Sequence, residues 1–264
     1  MNTIPNGAII DPRPVDKIAI DYKHIAGSVP VIWKELDLTK IQLTSQRFQN
    51  GSSSCVFQTG ASMLEKLTGK VISATPYFWR KNYPDPGSWI QDMGDIFYNR
   101  YTTTEVLSSS QNQSEVQMNQ IKQLTTFLGI TGYRQPAIQD IDQIAEAIEA
   151  YGQCGLCYSS NGEEYFYQTN TPKYLGSIST FGHAICGEIY GLVNGIKTIV
   201  CRDSARASGI TFITEDFHKH RNFGAIYFMG QKDVSVLQDN LQQQLSILQK
   251  LIILWQQLKT LLKK

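Results

Sequence analysis

The hydrophobic pattern of this chain changes from a helical period to a strand period near residue 150. Apolar residues repeat at helical spacing over 55–67 and again over 140–150. Beyond them come apolar runs separated by turn signals such as Asn194-Gly195. These runs predict strands at 154–158, 163–168, 183–190, 196–201, 210–213 and 224–229. Helices first and antiparallel strands second predict an α+β chain in two lobes.

The first helix has readable limits. A turn-rich segment from Gln49 to Ser54 precedes it, and Gly69 lies where a C-cap glycine belongs, so Cys55 is predicted to begin a buried helix. Ser114 and Gln117 form a capping box that predicts a further helix through Leu128. Residues 70–112 are rich in aromatic residues, proline and glycine, which predicts irregular structure or short helical turns.

Both ends of the chain differ from this central part. Residues 1–27 contain prolines and no sustained period, so they are predicted to form an arm or a short pro-like segment. In residues 231–264, apolar positions from Val234 to Leu262 keep a spacing of three and four, which predicts a long amphipathic helix. We expect this helix to form a coiled coil in a homo-oligomer. Packing on its own domain and contact with a membrane surface, through a helix ending in Lys263-Lys264, are the alternatives.

Charge and composition narrow the classes of function. The chain has 24 Lys and Arg against 23 Asp and Glu, which gives no general electrostatic attraction to nucleic acid. It contains no phosphate-binding glycine loop, nucleotide fingerprint or metal-ligand cluster, so no cofactor is predicted. No apolar secretory or membrane-spanning stretch is visible in the sequence. The expected location is therefore the cytoplasm or a larger particle.

The five cysteines are an odd set, and a complete disulfide framework is not expected. Cys154 and Cys157 have the spacing of a zinc or redox half-site, but no second pair or nearby His completes it. On a predicted strand, residues three apart point to opposite faces. Both are therefore predicted to be core cysteines.

Cys55 and His183 are the candidate chemical pair. Helix N-termini favour the thiolate form of a cysteine, which would act as a nucleophile with a nearby base. Of the four histidines, His24 lies in the arm, and His218 and His220 lie in a charged run typical of solvated histidines. His183 stands between two small residues at the head of a strand, where a substrate and a cysteine can approach.

Two further residues fit the same chemistry. Asp203 follows His183 by 20 residues, about one hairpin, and a carboxylate there can orient the imidazole. Gln49, six residues before Cys55, can place its side-chain amide beside the backbone N–H of Cys55 and stabilise an oxyanion.

These residues resemble the signature of the papain-like cysteine peptidases (papain family). That signature is a Gln, a helix-opening Cys six residues later, a His before Ala, and then an Asn or Asp. The separations of 128 residues from Cys55 to His183 and 148 to Asp203 are close to the ~130–150 of this family. The resemblance covers roughly residues 28–230, and it implies a two-lobed fold with a helical lobe and an antiparallel β lobe.

The chain departs from the family pattern at three places. Val56 replaces the Trp that usually follows the nucleophile, and Asp203-Ser-Ala-Arg replaces Asn-Ser-Trp-Gly. Ser52 replaces a half-cystine, so the disulfide usual near the nucleophile is not expected, which agrees with a reducing compartment.

The resemblance implies a cysteine endopeptidase whose partner is a peptide or protein substrate. In that reading Cys55 attacks the peptide carbonyl, His183 shuttles the proton, and Asp203 orients His183 while Gln49 stabilises the oxyanion. Two alternatives stay open at this point. One is a catalytically silent peptide-binding module with the same fold, and the other is an amidase or acyl transferase acting on cell-wall peptides or isopeptides.

Overall fold

A computed structural model describes residues 8–9, 31–49, 52–74, 87–99, 102–104 and 126–235. The α-helices within these ranges are α1 (Cys55–Thr68), α2 (Ile90–Asn99), α3 (Ile141–Tyr151), α4 (Gly162–Tyr165) and α5 (Glu215–Arg221), and Leu38–Lys40 form a short 3-10 helix. The strands are β1 (Ala8–Ile9), β2 (Ser88–Trp89), β3 (Thr126–Arg134), β4 (Cys154–Ser160), β5 (Phe181–Val193), β6 (Ile196–Arg202), β7 (Ile210–Thr214) and β8 (Asn222–Ser235).

Six of these strands form one antiparallel sheet in the order β3-β8-β4-β5-β6-β7. Helices α1 and α2 pack on one face of the sheet, and α3 and α5 pack on the other. This mixture of helices and antiparallel strands confirms the predicted α+β fold class. None of the helices in the described ranges is long and apolar enough to cross a lipid bilayer.

The central strand β4 is buried on both faces because each face is covered by helices. Cys154, Leu156 and Tyr158 belong to the core beneath α3, whereas Cys157 belongs to the core beneath α1. Cys154 and Cys157 therefore lie on opposite faces of the strand, as predicted from the alternation of side chains.

The predicted boundaries of α1 and α3 are confirmed. Gly69 caps α1 in the left-handed conformation (φ 67°) and donates its N–H to the Glu65 carbonyl. Asp140 caps α3, and its side chain accepts hydrogen bonds from Asp142 N at 3.0 Å and Gln143 N at 3.3 Å.

Two predictions of local structure were wrong. The predicted strand at 163–168 is instead α4 and the chain after it. The side chain of Asn161 accepts a hydrogen bond from Glu164 N at 3.0 Å and so starts a helical turn. Residues 70–112 contain the regular helix α2, whose Met93 and Phe97 pack against Gly60 of α1.

At two further places the structure has a strand where the sequence predicts a helix. The helix predicted from Ser114 lies outside the described residues up to 125, but residues 126–128 belong to β3, which pairs with β8. The long C-terminal helix was predicted from Val234, whereas Val234 and Ser235 end β8. Strand β8 therefore passes residue 230, the predicted domain limit, and 236–264 lie outside the described residues.

Candidate active site

Cys55 is the first residue of α1, and its side chain is fully buried. The Ser54 carbonyl accepts hydrogen bonds from Phe57 N and Gln58 N, both at 3.0 Å, which fixes the first turn of the helix. Backbone N–H groups at a helix N-terminus carry a partial positive charge. The thiol of Cys55 thus lies where a negative charge is favoured.

An antiparallel hairpin brings His183 and Asp203 together. Strands β5 and β6 are joined at Asn194 and Gly195, which both have positive φ (52° and 77°) as a tight hairpin turn requires. The start of β5 therefore lies beside the end of β6. His183 Nε2 donates a hydrogen bond to Asp203 Oδ1 at 2.8 Å, and both side chains are buried.

The Asp203 carboxylate is surrounded by hydrogen-bond donors. Besides His183, Oδ1 accepts from Ala205 N at 2.9 Å, while Oδ2 accepts from Tyr165 Oη at 2.9 Å and Thr211 Oγ1 at 2.7 Å. Burial alone would raise the pKa of Asp203. The positive charge of His183 and the hydrogen bonds from His183, Thr211 and Ala205 instead hold it well below its usual range.

His183 is held in its protonated form. Burial lowers its pKa, but the charge and hydrogen bond of Asp203, together with the neighbouring Cys55 thiol, raise it from 6.5 to about 10. Its Nδ1 atom is buried, and besides Asp203 the side chain that interacts with the imidazole is that of Cys55. Since Asp203 occupies Nε2, Nδ1 is the nitrogen left to exchange a proton with Cys55.

Gln49 connects the loop before α1 to the end of β6. Its Oε1 accepts a hydrogen bond from Ser204 Oγ at 2.9 Å, and its backbone N–H donates to the Ser204 carbonyl at 3.1 Å. Its Nε2 donates to the Ser52 carbonyl at 2.9 Å. An amide nitrogen has two hydrogens, so one remains for a further acceptor. The structure therefore brings Gln49, Cys55, His183 and Asp203 into one neighbourhood.

Aromatic rings and a guanidinium cover the His183–Asp203 pair. The Tyr165 ring stands edge-on to the imidazole, with centroids 5.5 Å apart, and the Phe166 ring lies at 6.4 Å. The Arg206 guanidinium lies 4.9 Å from the Tyr165 ring centre. Ala205 occupies the sequence position where the family pattern has Trp, so these groups cover the pair in this chain.

Sequence reasoning missed Tyr165, Arg206 and Thr211. The sequence predicts a strand at Tyr165, whereas its position in α4 directs its hydroxyl to Asp203. Arg206 lies in the turn after Asp203, and Thr211 lies in the next strand. Because β6 and β7 form an antiparallel hairpin, their pairing would have indicated that both residues lie near Asp203. The chain separation from Asp203 to Tyr165 offered no such signal.

His218 also differs from its predicted setting. It is fully buried on the inner face of α5, and its Nδ1 lies 2.8 Å from Tyr158 Oη. Burial lowers the pKa of His218 to about 4, so this histidine is neutral near pH 7. The other histidine of this helix, His220, is exposed and faces Asp216. The alternation of charges in the sequence did not reveal which residues of this short helix face the core.

The described part of the N-terminal arm lies beside the site. Strand β1 pairs in parallel with β2, with Ala8 opposite Ser88 and Ile9 opposite Trp89, and it also lies close to β5. The next residue, Ile90, packs over Gly224 of β8, whose register partner on β4 is Cys157, and Cys157 in turn pairs with Ala184 of β5. The β1–β2 pair is therefore next to the end of β5 that carries His183.

In the described ranges, no group of three or more His, Cys, Asp or Glu side chains is arranged to hold a metal ion.

Comparison with known proteins gives matches in structure only. No protein-family model matches the sequence, and no curated protein matches it at a significant level. Digestive procathepsin L 3 from the larval midgut of Tenebrio molitor superposes with a TM-score of 0.62 and 14% identity, over 85% of this chain and 76% of that one. Xylellain, a cysteine protease from Xylella fastidiosa, gives 0.63 and 14%, over 86% and 96%.

The proform of the ragweed pollen cysteine protease Amb a 11 gives a TM-score of 0.63 and 16% identity, over 78% of this chain and 67% of that one. All three are papain-like cysteine proteases. Their agreement with this chain extends over most of its length while sequence identity is low. The fold of this protein is therefore the papain-like fold.

Proposed function

We propose that this protein is a cysteine endopeptidase that hydrolyses peptide bonds through a covalent acyl-enzyme. The observation that carries this proposal is the buried chain of contacts at the start of α1. Asp203 holds Nε2 of His183 at 2.8 Å, which leaves the buried Nδ1 for the interaction of the imidazole with the Cys55 thiol. A protonated imidazole beside a thiol at a helix N-terminus favours a thiolate–imidazolium pair.

In the first half of the reaction, the Cys55 thiolate attacks the carbonyl carbon of the substrate. The resulting oxyanion accepts hydrogen bonds from the backbone N–H of Cys55 and the free Nε2 hydrogen of Gln49. His183 then gives its Nδ1 proton to the leaving amine as the C–N bond breaks. The products of this half are a thioester at Cys55 and a released amine.

In the second half, the neutral His183 accepts a proton from water at Nδ1. The hydroxide attacks the thioester carbonyl, the C–S bond breaks, and the acid product leaves while the Cys55 thiolate is restored. Asp203 stays ionised throughout and keeps Nε2 of His183 protonated. This division of roles needs no cofactor.

The N-terminal arm makes the full chain latent in this proposal. Cys55 and His183 are 0% and 1% exposed. Backbone groups of Ser88 and Trp89 beside the site are paired with Ala8 and Ile9. An extended substrate would need these backbone groups to be unpaired in order to bind next to the nucleophile. Support also comes from the solved structures, since two of those compared are a procathepsin and a proform.

Covalent labelling tests the assignment of Cys55. The test uses the activated enzyme, which is the chain without its N-terminal arm. A peptide carrying a thiol-directed electrophile, added at about the protein concentration, should modify this enzyme once, at Cys55. Intact-mass and peptide mass spectrometry measure the number and the position of the labels. Cys55→Ala should remove both the label and the hydrolysis of a peptide library. Cys186→Ala is the matched control, because burial raises the pKa of this thiol well above its ordinary value and leaves it unreactive.

Labelling at Cys157 or Cys186 in the wild-type protein would contradict the assignment. Labelling at Cys55 without turnover of any peptide would favour the silent binding module over the peptidase.

A further inference from the structure

We propose that Tyr165 and Thr211 are positioning residues that hold one carboxylate oxygen of Asp203 so that the other faces His183. This inference rests on the proposed peptidase function and adds two residues to its machinery. The usual family pattern places a neutral Asn at this position and a Trp two residues later, whereas this chain has Asp203 and Ala205. A buried carboxylate requires more donors than a buried amide does.

The contacts divide evenly between the two oxygens. Oδ1 accepts from His183 Nε2 at 2.8 Å and Ala205 N at 2.9 Å, and Oδ2 accepts from Thr211 Oγ1 at 2.7 Å and Tyr165 Oη at 2.9 Å. A carboxylate offers about four lone-pair positions, and these four donors fill them. Rotation of the Asp203 side chain would break at least two of these bonds in a site without water-exposed surface.

Tyr165 is itself fixed at both ends. Its backbone carbonyl accepts a hydrogen bond from Arg206 Nη2, and the same guanidinium lies over its ring. Its ring also meets the imidazole of His183 edge-on. The hydroxyl of Tyr165 therefore reaches Asp203 from a side chain with little freedom to move, which is the property required of a positioning group.

The charged and titratable groups around Asp203 are few. His183 on β5 and Arg206 in the following turn are positive, with Arg206 Nε 3.6 Å from Oδ2. Tyr165 on α4 and Cys201 on β6 are neutral, since burial raises the pKa of each well above its ordinary value. Arg206 Nε is the other donor of this set near Oδ2, and at 3.6 Å it lies beyond hydrogen-bond distance, so the hydrogen bonds to Oδ2 come from Tyr165 and Thr211.

The predicted consequence is a change in the acid limb of the pH profile. The hydrogen-bond donors keep Asp203 ionised. The orienting effect of this carboxylate on His183 is therefore present at neutral pH and is lost as the pH falls through the pKa of Asp203. Removing donors raises this pKa, so activity should disappear at a higher pH. We expect Tyr165→Phe and Thr211→Val each to move the acid limb of kcat/KM upward by about one pH unit, and the double variant by more. KM should change less than kcat.

Tyr158→Phe is the matched control. It removes the hydroxyl of another fully buried tyrosine, which contacts Nδ1 of His218 rather than Asp203. This control should leave the pH at which the acid limb falls unchanged, even where stability decreases. An unmoved acid limb in Tyr165→Phe and Thr211→Val, with activity lowered equally at every pH, would overturn the positioning role and indicate packing alone.

A second readout is independent of turnover. In the Cys55→Ala protein, the NMR signal of the His183 Nε2 proton should change when Asp203 is protonated, and it should do so at higher pH in the Tyr165→Phe/Thr211→Val background. An identical pH dependence in both backgrounds would refute the inference. Absence of peptide hydrolysis by the activated wild-type protein would refute the proposed function alone, because the NMR comparison still tests the contacts of Asp203.

Discussion

Replacing Asp203 by Asn would remove one buried negative charge and keep an oxygen that can accept the hydrogen bond of His183 Nε2. The imidazolium and the carboxylate meet at 2.8 Å between Nε2 and Oδ1. Two unit charges centred about 4 Å apart attract by about 4 kcal/mol at an effective dielectric constant of about 20. At about 1.4 kcal/mol per pKa unit, this corresponds to roughly three units.

The charge of Asp203 acts in the same direction as the net rise of the His183 pKa from 6.5 to about 10, which burial opposes and Cys55 increases. Because the folded pKa of His183 is raised, the imidazolium is present below it and is lost as the pH rises through about 10. In Asp203→Asn this loss should occur near or below the ordinary value of His. We therefore predict that the alkaline limb of kcat/KM moves down by roughly three pH units.

The assay is the initial rate of hydrolysis of a fluorogenic peptide by activated enzyme, measured across the pH range over which the protein stays folded. At about pH 8.5, Asp203→Asn should be slower than wild type by on the order of tenfold to a hundredfold, with much smaller losses in acid. Asp216→Asn is the matched control, because Asp216 faces His220 in an exposed pair 3.3 Å apart. An alkaline limb that stays in place in Asp203→Asn would refute the role of this charge.

Two further predictions concern the arm and the support of α1. Cleavage of the chain before Val31, or exchange of Ile9 for Pro to prevent the pairing of β1 with β2, should raise the initial rate of peptide hydrolysis above that of the uncleaved, unsubstituted chain. Equal rates with and without the arm would exclude latency. Arg47 is buried and contacts Glu65 at 2.5 Å and Ser62 at 3.1 Å, so Arg47→Met should lower the free energy of unfolding by about 3–5 kcal/mol, measured by chemical denaturation. An effect below about 1 kcal/mol would show that the ion pair is dispensable.

Local signals in the sequence were sufficient for the elements that carry the four proposed catalytic residues. Gly69 and the apolar period of 55–67 defined α1, and Asn194-Gly195 defined the hairpin that places Asp203 beside His183. These signals work because caps and tight turns depend on the chemistry of a few adjacent residues. The order and spacing of Gln49, Cys55, His183 and Asp203 then indicated the fold class.

The errors fall where long-range contacts decide the structure. Residues 126–128 follow a helical apolar period, but pairing with β8 makes them a strand. The segment 163–168 has the aromatic composition of a strand, yet Glu164 is buried and accepts hydrogen bonds from Leu175 N at 2.9 Å and Arg221 Nη2 at 2.6 Å. Such partners are distant in the chain and leave no periodic trace in it.

The sequence by itself thus determined the α+β class, the helix that begins at Cys55 and the four residues proposed to act together. The tertiary structure decided what surrounds them. It placed Tyr165, Thr211 and Arg206 around the Asp203 carboxylate, put His218 in the core, and laid Ala8 and Ile9 beside Ser88 and Trp89. The physical reason is that a buried charge takes its donors from whichever elements the fold brings near, and chain order does not record that proximity.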